Sequence, residues 1–170
     1  MPPQTIKQIG VHYGAITGLV LAAFTMMLMI IGPVIGNPFG FVSYILLIGG
    51  IYLGHKFFKE QNEFMTYGQG LGLGVIISAI TGLISGLGSF LYIKLIDNSI
   101  IGLLKDEIIS GMEEDGTSDD VIDTLMPYFE VVISPLGILF ANLLDALIMG
   151  FIFSLLISVF TKKENPELFV

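Results

Sequence analysis

The residue whose type and position could do chemistry is Asp145, the only ionisable residue in an apolar run from Leu136 to Thr161. Asn142 lies about one helical turn earlier, so the two side chains would share a helix face. A carboxylate in lipid costs at least ~2.5 kcal/mol and usually faces the protein interior, where it binds a partner or serves an ion or proton site. Two interpretations stay open: a proton or cation site, or a packing contact. The candidate packing partners are Lys94, Ser89 and Tyr92.

Two histidines form a second candidate pair. His12 lies near the start of the first apolar run and His55 near the end of the second. Paired imidazoles on neighbouring helices could ligate haem iron. Histidines at a membrane surface are more commonly amphipathic side chains that keep a polar edge in water. We therefore predict no cofactor.

The remaining motifs argue against metal binding, nucleotide binding and catalysis. The acidic run from Glu113 to Asp120 lacks the ligand order of an EF-hand loop. The glycine-rich run beginning at Gly68 has no phosphate-binding lysine and opens an apolar segment. With a net charge of −8 and no cysteine, the chain is not suited to nucleic acid and has no thiolate. We predict no catalytic residues, no metal site and no enzymatic activity.

Four transmembrane helices must position these residues. The chain is 54% hydrophobic and only 13% charged, against about 25% charge in a typical soluble domain. Crossing a hydrocarbon core of about 30 Å takes ~20 helical residues. Runs of that length are predicted at about 9–31, 39–58, 67–96 and 136–161, and a turn at Gly32, Pro33, Gly36, Asn37 and Pro38 separates the first two. The first run is too long for a signal-peptide core, so we expect it to be retained.

Between the third and fourth spans lies an acidic segment, residues 97–134, called the insert below. It holds ten acidic residues against one lysine. Apolar residues recur at helical spacing in both halves, which predicts an amphipathic helical hairpin. Asp97 is placed to cap the first helix and Thr117 or Ser118 the second. Pro127 lies where the second helix would join the fourth span, and a kink or a new helix start is expected there. The predicted inner face of the second helix comprises Val121, Ile122, Leu125, Phe129 and Val132.

The lysines predict the orientation, because lysines near the ends of spans are kept in the cytoplasm. With four spans, five of the seven lysines fall on one side, and only Lys94 and Lys105 fall on the other. Both termini are therefore predicted to be cytoplasmic, with the insert on the opposite face. In a bacterium this would be a multi-pass inner-membrane protein with a periplasmic hairpin, which could bind a periplasmic partner.

Small residues recur every four positions on three of the four spans. Helices in lipid associate through such residues because these allow close backbone approach. All three stripes could pack helices within one monomeric bundle. Alternatively, at least one stripe could contact a second copy of the chain or another membrane protein. The residues predicted to pack helices are Gly10, Gly14 and Gly18; Gly70, Gly74, Ser78, Gly82 and Gly86; and Gly150 and Ser154.

The order of these parts resembles a bacterial membrane family called domain of unknown function 4199. The resemblance covers about residues 8–162 and rests on three patterns. These are the aromatic-x-x-Gly opening of the third span, the run Phe90-Leu91-Tyr92-Ile93-Lys94-Leu95-Ile96-Asp97, and the acidic insert before Gly150-Phe151-Ile152-Phe153-Ser154. The resemblance implies this architecture and an inner-membrane location. It implies no activity and no functional residues.

The leading hypothesis is an all-α membrane protein of four transmembrane helices that serves as a non-enzymatic scaffold or binding protein. The alternative is a small proton- or cation-coupled transporter built on Asp145. Polar residues of several helices converging on Asp145 would favour the alternative, and the sequence places only Asn142 there.

Overall fold

The computed structural model describes residues 4–31 and 37–163, and these residues form six helices and no strands. The predicted turn residues Gly32, Pro33 and Gly36 lie outside the described residues. The helices are α1 (Ile6–Ile31), α2 (Phe41–Asn62), α3 (Tyr67–Leu95), α4 (Ser99–Glu114), α5 (Asp119–Ile133) and α6 (Pro135–Thr161).

Four of these helices, α1, α2, α3 and α6, are long and apolar enough to cross a membrane. Large apolar side chains such as Leu19, Leu144 and Phe160 point away from the protein along these helices. A surface of this kind needs a lipid environment. The described residues therefore include four helices that could span a membrane, at the positions expected from the apolar runs.

The four membrane helices run in alternating directions, with α3 between α1 and α6. Gly14 and Gly18 of α1 lie against Ile80 and Ile84 of α3, so α1 and α3 are parallel. Gly50 of α2 lies against Thr17, and α3 meets α6 in the opposite direction. The end of the bundle near Gln4, Asn62, Tyr67 and Thr161 is called the terminal end below, and the opposite end is called the insert end.

Helix α2 is longer than expected. The predicted polar connection, residues 59–63, mostly extends α2, which ends at Asn62. Glu63 then adopts a positive φ of 62° while its N–H donates to the carbonyl of Lys59. Thr66 begins α3 with a capping box, because its hydroxyl accepts from Gln69 N and the Gln69 side chain accepts from Thr66 N.

Hydrogen bonds join all four membrane helices at the terminal end. Met65 and Lys163 exchange two backbone hydrogen bonds of 2.9 and 2.8 Å, which fasten the α2–α3 turn to the end of α6. Asn62 Nδ2 donates to the carbonyl of Gln4 at 3.2 Å, just before α1. A cluster of buried apolar residues packs above these bonds: Ile9, Leu47, Ile51, Phe58, Met65, Leu73 and Ile77.

The insert contains α4 and α5, which contact one another. Lys105 Nζ donates to Glu130 at 2.6 Å, and this bond raises the pKa of Lys105. Ile100 and Leu104 of α4 pack with Tyr92 and Ile93 at the end of α3. The insert is thereby anchored on the insert end of the bundle.

The caps of the insert helices differ in detail from the prediction. Asn98 is the N-cap of α4, but the Asp97 carboxylate accepts from Ser99 N at 2.9 Å and Ser99 Oγ at 2.5 Å. Asp97, one residue before the N-cap, therefore accepts a hydrogen bond from a backbone N–H that has no partner within α4. Ser118 is the N-cap of α5 without a side-chain capping bond.

Two expectations for α5 are corrected. The buried face consists of Ile122, Met126 and Ile133, while Val121, Leu125 and Val132 are exposed, because the helix is rotated relative to the predicted face. Pro127 does not begin a new helix, since α5 continues to Ile133.

The junction between α5 and α6 falls at Ser134. Its extended backbone, with ψ of 156°, breaks the helix, and its hydroxyl accepts from Gly137 N at 3.1 Å. Pro135 occupies the first helical position of α6, where its missing N–H costs nothing. Gly137 lies directly against the carbonyls of Val131 and Val132, so the last turn of α5 sits beside the first turn of α6.

Candidate functional site

A partly enclosed cavity of about 210 Å³ opens among all four membrane helices in the half of the bundle nearer the insert. Each helix contributes at least one polar side chain to its wall. The polar lining residues are Thr25 of α1, Ser43 and Tyr44 of α2, Thr81 and Ser85 of α3, and Asn142 and Asp145 of α6. The apolar lining includes Leu21, Leu28, Met29, Leu47 and Ala146.

Asp145 lies on the wall of this cavity and receives a hydrogen bond from Tyr44 Oη at 3.3 Å. The two residues are 101 positions apart in the chain. Asp145 follows the start of α6 by ten residues, which corresponds to about 15 Å along the helix axis. Asp145 is exposed, and it lies on the polar wall of the cavity. A polar surrounding of this kind accommodates a carboxylate at that depth.

The polar neighbours of Asp145 are held in place by bonds to helix backbones. Asn142 Nδ2 donates to the carbonyl of Ile138 at 2.8 Å, which leaves the amide oxygen as the free end of the side chain. Thr81 Oγ1 donates to the carbonyl of Gly14 at 3.2 Å, and Ser85 Oγ to that of Gly82 at 3.3 Å. These oxygens retain lone pairs, so the cavity wall is rich in hydrogen-bond acceptors.

The α3–α6 interface closes the bundle between the cavity and the terminal end. Ser78 of α3 fits against Gly150 of α6, and Ser154 of α6 fits against Gly74 of α3. Both serines are fully buried, and each hydroxyl donates to a carbonyl of its own helix. Closer to the insert end, Gly82 and Gly86 meet α6 around Ala146 and Leu139, while Gly70 meets Ser158 near the terminal end.

The stripe on α1 is also used within the chain. Gly10, Gly14 and Gly18 meet Ile76, Ile80 and Ile84 of α3 in order. A Cβ on any of these three glycines would collide with the opposing isoleucine. All three stripes are therefore occupied by contacts between helices of one chain, so an oligomer would have to form through other surfaces.

The three residues predicted as partners of Asp145 lie elsewhere. Lys94 is exposed near the end of α3, with its ammonium 5.4 Å from the ring centre of Phe90. Tyr92 belongs to the apolar cluster under α4. Ser89 Oγ is buried without a hydrogen-bond partner among the described residues.

The two histidines have different surroundings. His55 is completely buried at the terminal end, where its Nδ1 lies 2.8 Å from Thr161 Oγ1 of α6. His12 is exposed, and its ring contacts Tyr13 edge-on. The expectation that both are surface side chains is wrong for His55, because α3 and α6 cover it. This difference in environment does not favour a shared haem iron.

Sequence reasoning missed most of the cavity. Thr81 and Ser85 share one face of α3, and Tyr44 and Ser43 lie near the start of α2, so each was visible as a polar residue within an apolar run. Nothing in the spacing along the chain shows that they converge. Convergence depends on the register between helices, which the glycine contacts set.

The cavity offers one carboxylate, one phenol, one amide oxygen and four hydroxyls. Among the described residues no cluster of three or more His, Asp or Glu side chains could hold a metal ion. A single carboxylate surrounded by neutral oxygens is suited to a proton or a singly charged cation, whose charge it balances.

No curated protein and no solved structure matches this chain. The family model described as "Protein of unknown function (DUF4199)" matches residues 12–163, which include most of α1, the other three membrane helices and the insert. The chain therefore belongs to the DUF4199 family of proteins of unknown function.

Proposed function

We propose that this protein is a small, non-enzymatic membrane carrier that binds a proton or a small monovalent cation at Asp145. The observation that carries the proposal is a cavity that polar side chains from all four membrane helices line together with one carboxylate, which Tyr44 contacts. Placing these polar and charged groups within membrane helices costs free energy, and such groups typically mark a substrate or ion pathway.

The chemistry of the wall supports this ligand class. A carboxylate among membrane helices is stabilised when a proton or a cation neutralises it. Tyr44 holds Asp145 in place, and Asn142 with the serine and threonine hydroxyls supplies the neutral oxygens that replace water around a cation. Neutral oxygen ligands with a single carboxylate favour monovalent over divalent ions, since a divalent ion would keep a net charge.

We also propose that the protein lies in the bacterial inner membrane with both termini in the cytoplasm. The distribution of lysines supports this orientation. The cavity, which lies in the half of the bundle nearer the insert, would then face the periplasmic side. Transport would require the α3–α6 interface around Ser78 and Gly150 to open toward the terminal end.

Proton flux into liposomes tests the proposal. The full chain is reconstituted in liposomes that contain a pH-sensitive dye, and a membrane potential is imposed. We expect wild-type protein to acidify the lumen and Asp145→Asn to lose that activity while it remains folded. Thallium influx in the same liposomes tests a cation other than the proton. The absence of any wild-type flux, or equal flux in both proteins, would overturn the proposal.

Two tyrosines provide a matched control. Tyr44→Phe removes the hydroxyl that donates to Asp145, and we expect flux to fall about threefold to tenfold, the effect of losing one hydrogen bond of about 1 kcal/mol. Tyr52→Phe makes the same chemical change on the exposed surface of α2 and should leave flux unchanged. Equal losses in both variants would show that the effect is not specific to the cavity.

A scaffold function is the second candidate, and one feature of α5 favours it. Val121, Leu125, Tyr128 and Val132 form an exposed apolar stripe at helical spacing, and no described residue covers them. A periplasmic protein or a second copy of the chain could bind there. Photocrosslinking from Leu125 in intact cells, with Asp106 on α4 as the control position, tests this candidate. A partner captured from Leu125 alone would support it.

A further inference from the structure

A surface cleft of about 320 Å³ lies between the end of α3 and the start of α6. It is separate from the Asp145 cavity and shares no lining residue with it. Its wall combines apolar and polar side chains. The lining residues are Phe90, Lys94, Asn98, Ser134, Pro135 and Leu136.

Lys94 supplies the charge of this cleft. Its ammonium stands 5.4 Å from the centre of the Phe90 ring, which positions it by a cation–π contact. In residues 4–31 and 37–163 no carboxylate pairs with it, although the neighbouring insert holds ten acidic residues. By contrast, Lys105, the other lysine at this end, is paired with Glu130. The Lys94 ammonium is thus available to an anionic group.

The cleft belongs to the surface that faces lipid. Leu136 lines it and is 58% exposed, and Leu95 on the adjoining turn of α3 is 73% exposed. Phe140, one turn further along α6, is also exposed. Lysines at this level of a membrane protein extend toward the phosphate layer. The polar part of the cleft therefore lies where lipid headgroups lie, above an apolar surface for acyl chains.

An opposite charge lies three residues beyond Lys94. Asp97 follows the last turn of α3, where its N–H still bonds to the carbonyl of Tyr92 at 3.0 Å. Hydrogen bonds from the hydroxyl and N–H of Ser99 hold the pKa of Asp97 below its ordinary value. Asp97 is thus a carboxylate at neutral pH, and it is the chain neighbour of Asn98, which lines the cleft.

We propose that this cleft binds the headgroup of a zwitterionic phospholipid with a primary amine, with its phosphate on Lys94 and its ammonium on Asp97. The acyl chains would lie over Leu95, Leu136 and Phe140. A lipid with a net negative charge fits less well, since the acidic insert would repel it. A choline lipid also fits less well, because its quaternary ammonium has no N–H to donate to a carboxylate.

Native mass spectrometry of the full-length protein tests the proposal. The purified protein is mixed with equal amounts of phosphatidylethanolamine, phosphatidylcholine and phosphatidylglycerol with identical acyl chains. We expect the wild type to retain the ethanolamine lipid about threefold to tenfold more than either of the other two, the effect of one charge-assisted hydrogen bond. Equal retention of all three would overturn the proposal.

Single substitutions test whether Lys94 binds the phosphate and Asp97 binds the ammonium of the lipid. Lys94→Gln should reduce retention of the ethanolamine lipid severalfold, whereas Lys105→Gln, which makes the same charge change away from the cleft, should not. Asp97→Asn should abolish the preference for ethanolamine over choline. Equal lipid retention by Lys94→Gln and wild type would overturn the assignment. Loss of the lipid on adding millimolar inorganic phosphate would identify a site for free phosphate instead. Thermal melting of each variant verifies that it is folded.

Discussion

Ser154 of α6 occupies the space that a β-carbon on Gly74 of α3 would need, and Ser78 of α3 does the same at Gly150 of α6. The two pairs are reciprocal, because each helix supplies one serine and one glycine. Both serines are fully buried. The backbones of α3 and α6 approach closely as a result, which is the main source of helix association in lipid.

Gly74→Ala and Gly150→Ala should each destabilise the protein. The new methyl group would overlap a serine that has no room to move, and overpacking of this kind costs about 1 to 3 kcal/mol. Unfolding of the detergent-solubilised protein measures the effect. Gly72→Ala is the control on the same helix, because nothing lies within 4 Å of its β-position. It should be neutral or stabilising by up to about 1 kcal/mol.

An exchange variant gives a stricter test of the same contact. The double substitution Gly74→Ala with Ser154→Gly moves the side chain from one helix to the other and restores the space. It should recover most of the stability lost in Gly74→Ala, which gives a favourable coupling in a double-mutant cycle. Strictly additive effects would show that the two residues do not share this contact.

Thr161→Val should destabilise the terminal end of the bundle. Thr161 Oγ1 donates to the carbonyl of Ile157 at 2.8 Å, so it accepts from Nδ1–H of His55. Valine keeps the volume but leaves a buried imidazole N–H unpaired, at a cost of about 1 to 3 kcal/mol. Chemical denaturation in detergent measures this loss.

Ser158→Ala is the control for Thr161→Val. Ser158 Oγ is buried near His55 and Gly70, but it has no hydrogen-bond partner among the described residues. Its removal should leave stability unchanged or raise it. A loss as large as that of Thr161→Val would point to a hydrogen bond from Ser158 to the free Nε2 of His55.

Asp145→Asn should make the folded protein more stable while it removes ion binding. An amide keeps polar contacts with Tyr44 but carries no charge that must be held inside the membrane. The gain should be on the order of 1 kcal/mol, as expected where a binding site is maintained at the expense of stability. Melting temperatures of the two proteins in the same detergent give the comparison, and a lower value for the variant would favour a packing role.

The titration of Asp97 should depend on Ser99. Hydrogen bonds from Ser99 place the pKa of Asp97 below its ordinary value of 3.8. Its contribution to stability is therefore complete above about pH 4 and is lost as the pH falls through the folded-state pKa. In Ser99→Ala the pKa should rise toward 3.8, as followed by the carboxyl ¹³C shift. Ser118→Ala changes a serine without a capping bond and should leave this titration unchanged.

The membrane helices were predictable because each depends on a long local run of apolar residues. Even there, α2 continues past the apolar run to Asn62, because Lys59, Glu60 and Gln61 are polar but favour helix. Pro127 and Pro135 made the start of the last helix hard to predict. Both can start a helix, and the choice of Pro135 depends on Ser134, whose hydroxyl caps the next turn.

The candidate site was only partly predictable for a different reason. Asp145 and Asn142 were found because they interrupt an apolar run on one helix face. Tyr44 reaches Asp145 across 101 positions of the chain, and no local pattern encodes that distance. The exposed face of α5 was predicted wrongly for the same reason. The packing of α4 against α5 determines which apolar residues of α5 are covered.

The two backbone bonds between Met65 and Lys163, with the bond from Asn62 to Gln4, fasten the helices together at the terminal end. Opening the cavity toward the insert would leave these bonds intact, so the helices would move little near His55 and most at the insert end. Opening the α3–α6 interface toward the terminal end, which transport requires, would have to break those between Met65 and Lys163. Any widening of the cavity would displace α4 and α5, so the acidic insert would report the motion of a site it does not touch.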